Sequence, residues 1–203
     1  MPRHDDFIYP ESSFRIRSRG RLPHWELDNA FYSVTIRLDD AIPHEILVDL
    51  LHERDRSISR ASTDAERRAI DRMFDLRIDY FADQGYGACH LGQPEAADVV
   101  EQALRHFDGD RYSLHAYAVM PNHAHVLFCL FRGSDLARTM HSLKSYTSNR
   151  INAIVGRAGR LWQPEYRDRI IRDEREFEET RRYILENPLK AGLKEWRWVW
   201  PSE

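Results

Sequence analysis

The stretch YSLHAYAVMPNHAHVLFCLF, residues 112–131, decides the fold. Two apolar runs, Tyr112 to Met120 and His123 to Phe131, are separated only by Pro121-Asn122. Runs of this length bounded by turn residues read as buried antiparallel strands. In the second run His123 and His125 stand two residues apart, so both imidazoles point to one face while Ala124 points to the other, into the core. Imidazoles suit divalent ions such as zinc, manganese or iron, and with oxygen ligands added they serve magnesium or manganese. Two ligands do not make a site, so a third must come from elsewhere. Taken alone, a His-x-His pair among ten histidines is better explained by one exposed ring and one satisfied by a backbone carbonyl, and only its context points to a metal.

Upstream, AFYSVTIRL over 30–38 alternates apolar and polar residues as a strand does. Pro43 precedes a helical stretch through Leu51, and a second helix starts near Ser62, capped by Ser62 or Thr63, and runs to about Phe81. Gly85 and Gly87 break it, and 95–107 forms another helix ended by the Asp108-Gly109-Asp110 turn. Downstream, Ser134 to Val155 is a long helix capped by Ser134 or Asp135. Residues 161–171 read as a loop with a short strand at Arg169 to Arg172, and 173–186 as a last helix stopped by Asn187-Pro188. Trp196, Trp198 and Trp200 alternate in an extended tail that docks one aromatic face. Strands interleaved with helices give an α+β domain, one antiparallel sheet with helices on one face. Residues 1–24 read as an extended basic arm, 25–193 as the domain and 194–203 as a Trp-rich tail.

The 203 residues suffice for one well-cored domain, and 42% hydrophobic with 31% charged residues describes a globular chain. MPRHDDFIYP at the start has no apolar h-region, and no run approaches a membrane span. Two cysteines, Cys89 and Cys129, imply neither a disulfide framework nor a CxxC knuckle, so a reducing cytoplasm fits best. Net charge is −3, but its distribution is uneven. From Asp39 to Asp110 there are 17 acidic and 8 basic residues, whereas Arg132 to Arg172 holds 9 basic and 3 acidic. An acidic back and a basic front are compatible with a phosphate-binding surface, as they are with scattered solvated charge.

Three blocks carry a resemblance: AVMPNHAHVL (118–127); LWQPEY (161–166) followed by RIIRD (169–173); and YILENPLKAGL (183–193). The first resembles the HUH signature (His, hydrophobic, His) of the single-tyrosine transposases. In this order and spacing the three are similar to the REP-associated tyrosine transposases, over roughly residues 22 to 193. The resemblance implies a ferredoxin-like sheet with the histidine pair on a central strand, and a divalent metal, Mg²⁺ or Mn²⁺, held by His123 and His125. It also implies cleavage and joining of single-stranded DNA near palindromic hairpins, making 25–193 a single-tyrosine transposase domain. The nucleophile it implies is Tyr183, which would carry the DNA as a 5′-phosphotyrosine. The third metal ligand it implies is Asn187, one helical turn beyond Tyr183 and on the same face. Tyr146, in the basic stretch, is the alternative nucleophile.

For the DNA backbone the candidates are Lys144, Arg150, Arg167, Arg169, Arg172 and Lys190, with Arg17, Arg19 and Arg21 of the arm as a clamp. Trp162 and Tyr166 are candidates for stacking unpaired bases, and Trp25 for reading a hairpin. No GxxxxGK[ST] or GxGxxG occurs, so no nucleotide cofactor is implied. Two competing functions share these residues. One is a hairpin-DNA-binding protein without cleavage; the other is a metal-dependent phosphoesterase using water. Monomer and dimer both remain open.

Overall fold

The computed structural model describes residues 2, 4–7, 15–19 and 22–201, with side chains described for 2, 6, 7 and 27–201. Near the N-terminus β1 (Arg15–Arg19) and β2 (Leu22–Glu26) pair as an antiparallel ribbon, within the segment expected to be an extended arm. Arg21 and the side chains of Arg17, Arg19 and Trp25 lie outside the described residues.

The main sheet joins β3 (Phe31–Arg37), β4 (Tyr112–Val119), β5 (His123–Leu130), β6 (Arg167–Ile170) and β7 (Val199–Pro201). Their order is β6-β3-β5-β4-β7, antiparallel throughout, so β5 with the histidine pair is the central strand. The short strand expected at 169–172 forms two residues earlier, where Thr35 faces Arg167 and Tyr32 faces Ile170. Of the tail expected to be extended, Val199–Pro201 pairs as β7, with Trp200 stacked on Tyr117 at a centroid distance of 5.9 Å.

Among the described residues five α-helices complete the fold: α1 (His44–Arg60), α2 (Asp64–Asp83), α3 (Pro94–His106), α4 (Leu136–Ile154) and α5 (Glu174–Lys190). Thr63 caps α2 through a capping box with Glu66, and Asp135 caps α4. Strand alternation separates two cores. Ala124, Val126, Phe128 and Leu130 of β5 join α3 and α4 on one face. On the opposite face Leu127 packs with Phe177 and Ile184 of α5. The helices expected on one face are thus complemented by α5 on the other, the face toward which His123 and His125 point. No helix among the described residues is long and apolar enough to cross a membrane.

One boundary departs from expectation in a way that shapes the site. Asn187-Pro188 does not stop α5, which continues to Lys190. Proline lacks only its own N–H, so near a C-terminus it forfeits a single helical bond. The turn then closes through Ala191 N–H to Asn187 O at 3.0 Å and Leu193 N–H to Pro188 O at 2.9 Å. Asn187 is therefore a buried helical residue with its side chain available for other work.

Candidate active site

α5 is anchored first. Phe177 meets Phe31 of β3 edge-on at 5.2 Å and His115 of β4 at 5.4 Å. Two turns later Ile184 is buried on the same face. These contacts fix the rotation of α5, and at the spacing of one turn Tyr183 and Asn187 both face the histidine pair. The Tyr183 ring lies 5.6 Å from that of His125, and Asn187 Nδ2 lies 3.3 Å from His125 Nε2.

The two imidazoles are fully buried, with their Nε2 atoms 3.1 Å apart. Their Nδ1 atoms are tied from behind, to Asn122 Oδ1 at 2.8 Å for His123 and to Thr35 Oγ1 at 2.9 Å for His125. Asn122 Nδ2 points at the carbonyls of Ala82 (2.9 Å) and Tyr86 (3.1 Å), which only an NH₂ group satisfies. Its Oδ1 must then accept from His123, which assigns the proton to Nδ1 and leaves a lone pair on Nε2. The Thr35 hydroxyl can donate or accept, so it serves either tautomer of His125. Burial is the first cause holding His123 well below the usual imidazole range, and burial likewise pushes His125 down to about 4. Both rings are neutral near pH 7, the state in which they bind metals.

A divalent ion fits this arrangement. The Asn187 side chain is only 1% exposed: its Nδ2 lies against His125 Nε2, and its Oδ1 is buried without a hydrogen-bond partner. Among the described residues no three His, Cys, Asp or Glu side chains are grouped to hold a metal; the Asn187 amide oxygen is available as a third donor once its carboxamide is flipped from the orientation that sets Nδ2 on His125. A neutral oxygen beside two imidazoles suits magnesium or manganese. Asp83 at the C-terminal end of α2 borders the pair, with Oδ1 3.5 Å from His123 Nε2. Burial, then Asp79, push its carboxyl up to about 7.

The Tyr183 hydroxyl donates to Asp79 Oδ2 at 3.3 Å, while Arg37 Nη2 donates to Asp79 Oδ1 at 2.5 Å. Burial, then Asp79 and Asp83, hold the phenol well above its usual range, so the resting side chain is protonated. Burial opposes ionisation of Asp79, but Arg37 and the two histidines outweigh it and hold the carboxyl below its usual range. Thr35, Arg37, Asp79, Asp83 and Asn122 were not anticipated as parts of the site. The one sequence signal was the spacing Asp75-Asp79-Asp83, a stripe along α2 that looks like an ordinary solvated face. In the fold it meets Arg167, Arg37 and His123 in turn.

The remaining expected residues separate. Tyr146 is 48% exposed on α4, across the sheet from the histidines, so it is not brought to the site. Lys144 Nζ bonds Gln163 O at 2.6 Å and Pro164 O at 2.9 Å, which ties α4 to the following loop. Arg167 is half-buried against Asp75, and Arg169 is held by Thr180 and Glu176. These three are engaged within the fold, whereas Arg150 and Arg172 are exposed. Lys190 Nζ lies 5.5 Å over the Tyr183 ring, paired with Glu186 at 3.0 Å. Trp162 is buried, its Nε1–H donating to Thr147 at 2.9 Å, so it does not present a face to bases; Tyr166 packs on the core. A cleft of about 700 Å³ between α2 and the start of α5 is lined by arginines and carboxylates together, including Arg68, Arg172, Asp75 and Glu176.

The family described as IS200-like transposase matches residues 82–187, more than half of the chain. A REP-associated tyrosine transposase solved bound to a REP hairpin is 15% identical, with a TM-score of 0.50, 90% of this chain covered and 82% of that one. A candidate transposase from Deinococcus radiodurans R1 is 14% identical, with a TM-score of 0.34, 84% of this chain covered and 98% of that one. No curated protein shows significant similarity to the chain.

Proposed function

The chain belongs to the IS200-like transposase family, and on that premise we propose that it is a metal-dependent endonuclease and strand transferase for single-stranded DNA. The proposed substrates are hairpin-forming palindromic sequences, the class of ligand bound by the solved REP-associated relative. The observation that carries this is the convergence of Tyr183 and Asn187, one turn apart on α5, on His125, whose Nε2 lies 3.1 Å from that of His123.

His123, His125 and Asn187 would hold Mg²⁺ or Mn²⁺, which supplies Lewis-acid polarisation of the scissile phosphate. Asn122 and Thr35 orient the two imidazoles from behind, and burial by α5 excludes water from them. The Tyr183 oxygen attacks phosphorus in line and loses its proton as the new O–P bond forms. The bond to the 3′ oxygen breaks, and that oxygen leaves and is protonated to a 3′-hydroxyl. Attack of another 3′-hydroxyl on the phosphotyrosine reverses the step, returns a proton to Tyr183 and joins the strands. Because the tyrosyl link retains the phosphodiester, no nucleotide cofactor is required. Lys190 beside the tyrosine and exposed Arg172 supply positive charge for the strand.

The test is incubation with labelled hairpin-bearing single-stranded DNA and Mn²⁺ or Mg²⁺. A denaturation-resistant protein–DNA adduct is expected, absent in Tyr183→Phe and after chelation. Hydrolysis that survives Tyr183→Phe would instead identify a water-using phosphoesterase. Hairpin binding with no cleavage across several native flanking sequences would identify a binding protein.

A further inference from the structure

We infer that Asp79, braced by Arg37, is a positioning residue for the Tyr183 hydroxyl; this rests on the proposed role of Tyr183 as nucleophile. The two oxygens of one carboxylate face different elements. Oδ1 accepts from Arg37 Nη2 on β3 at 2.5 Å, and Oδ2 accepts from the Tyr183 hydroxyl on α5 at 3.3 Å. Asp79 and Arg37 are 8% and 7% exposed, so this junction of α2, β3 and α5 is closed to bulk water. Arg37 stands opposite His123 in the β3–β5 ladder and Thr35 opposite His125, so the strand that orients an imidazole also holds the brace.

An ion pair between α2 and β3 needs only one carboxylate oxygen. The second is spent on a side chain that is itself only partly buried, and this fixes the phenol. Tyrosine has few rotamers, and a single directed hydrogen bond selects the one that holds the hydroxyl on Asp79 and the ring against His125. A misplacement of about 1 Å at a reacting atom can cost about 100-fold in rate. Both Arg37 and Asp79 lie outside residues 82–187, so the brace is supplied by parts of this chain beyond the family-matched segment.

The experiment compares the full-length wild type with Asp79→Ala, Asp79→Asn and the double variant Arg37→Met/Asp79→Leu. The double variant replaces a buried ion pair by apolar groups, an exchange that often leaves folding intact, and it covers the case in which Asp79→Ala does not fold. Single-turnover adduct formation at saturating hairpin DNA and Mn²⁺ is expected to slow about 10- to 100-fold in Asp79→Ala and in the double variant. Hairpin affinity should stay within about twofold. Asp79→Asn, which retains a polar partner for the phenol, should recover most of the rate. A second readout does not depend on activity. With 3-fluorotyrosine at position 183, the ¹⁹F resonance of the DNA-free, metal-free protein should move in Asp79→Ala and largely return in Asp79→Asn. An unmoved resonance, or unchanged adduct formation in the folded double variant, overturns the inference. A wild type that forms no adduct but shows the resonance shift would fail the proposed function and leave the brace standing.

Discussion

His123 Nε2 and His125 Nε2 face each other across 3.1 Å at the centre of the sheet, beside an Asn187 carboxamide whose oxygen has no partner. Two imidazole lone pairs cannot share that space comfortably without a proton or a cation between them. The first prediction follows from this. Saturating Mn²⁺ should raise the melting temperature, since a ligand at 100 times its Kd stabilises by about 2.7 kcal/mol. Asn187→Leu should abolish most of that rise without lowering the metal-free melting temperature. An undiminished Mn²⁺ shift in Asn187→Leu would remove Asn187 from the ligand set.

Acid should destabilise the chelated protein through the histidines. Unfolded, an imidazole titrates near 6.5; folded, burial holds His125 near 4, against the opposing pull of Asp79. Between those values the unfolded chain binds more protons, so stability is complete above about pH 6.5 and is lost as pH falls toward about 4. The contribution is on the order of 3 kcal/mol for His125 alone. Denaturant unfolding at a series of pH values checks this: His125→Gln should flatten the slope across that window, and an unaltered slope would contradict it.

Asn122→Leu should damage both the fold and the metal site. It removes the amide donor from the Tyr86 carbonyl and one of the donors from that of Ala82, which keeps the Gly85 N–H, and it frees the His123 ring to turn. Losing these hydrogen bonds costs about 1–3 kcal/mol, and loss of an orienting partner weakens metal affinity by about 10- to 100-fold. Calorimetric titration with Mn²⁺ at a temperature where the variant is folded would reveal the second effect. Wild-type affinity there would mean that Asn122 serves the fold only.

Lys144 and Arg172 should respond oppositely to salt. Lys144 spends its ammonium on two loop carbonyls, and burial lowers it to about 8, so Lys144→Met should cost about 1–3 kcal/mol of stability. It should leave the salt dependence of hairpin binding unchanged. Arg172 is exposed, and Arg172→Ala should reduce the slope of log affinity against log salt by about 0.7–0.9 with little effect on stability. Equal slopes for the two variants would refute the division between structural and DNA-facing cations.

Some elements could be read from local sequence because local rules govern them. Strands β3, β4 and β5 follow apolar alternation and length, and Thr63 and Asp135 cap their helices as the residue types require. Asn187-Pro188 misled, because proline is a stop signal only where the chain gains more by leaving the helix. Here burial of Asn187 and Pro188 against the sheet outweighs one lost bond. Lys144 and Arg167 look like DNA contacts by charge alone. Whether a cation faces solvent depends on neighbours that sequence spacing does not reveal, Gln163 and Pro164 for one and Asp75 for the other.

The sequence by itself determined the strand pair, the shared face of His123 and His125, and the one-turn offset of Tyr183 and Asn187, since these are consequences of periods 2.0 and 3.6. Only the tertiary structure decided that α5 lies on the histidine face and α4 with Tyr146 on the other. It alone brought Asp79 to Tyr183 across 104 positions and to Arg37 across 42. Such contacts depend on how helices pack on the sheet, and that is set by the summed burial of many side chains, with no signature in any one segment.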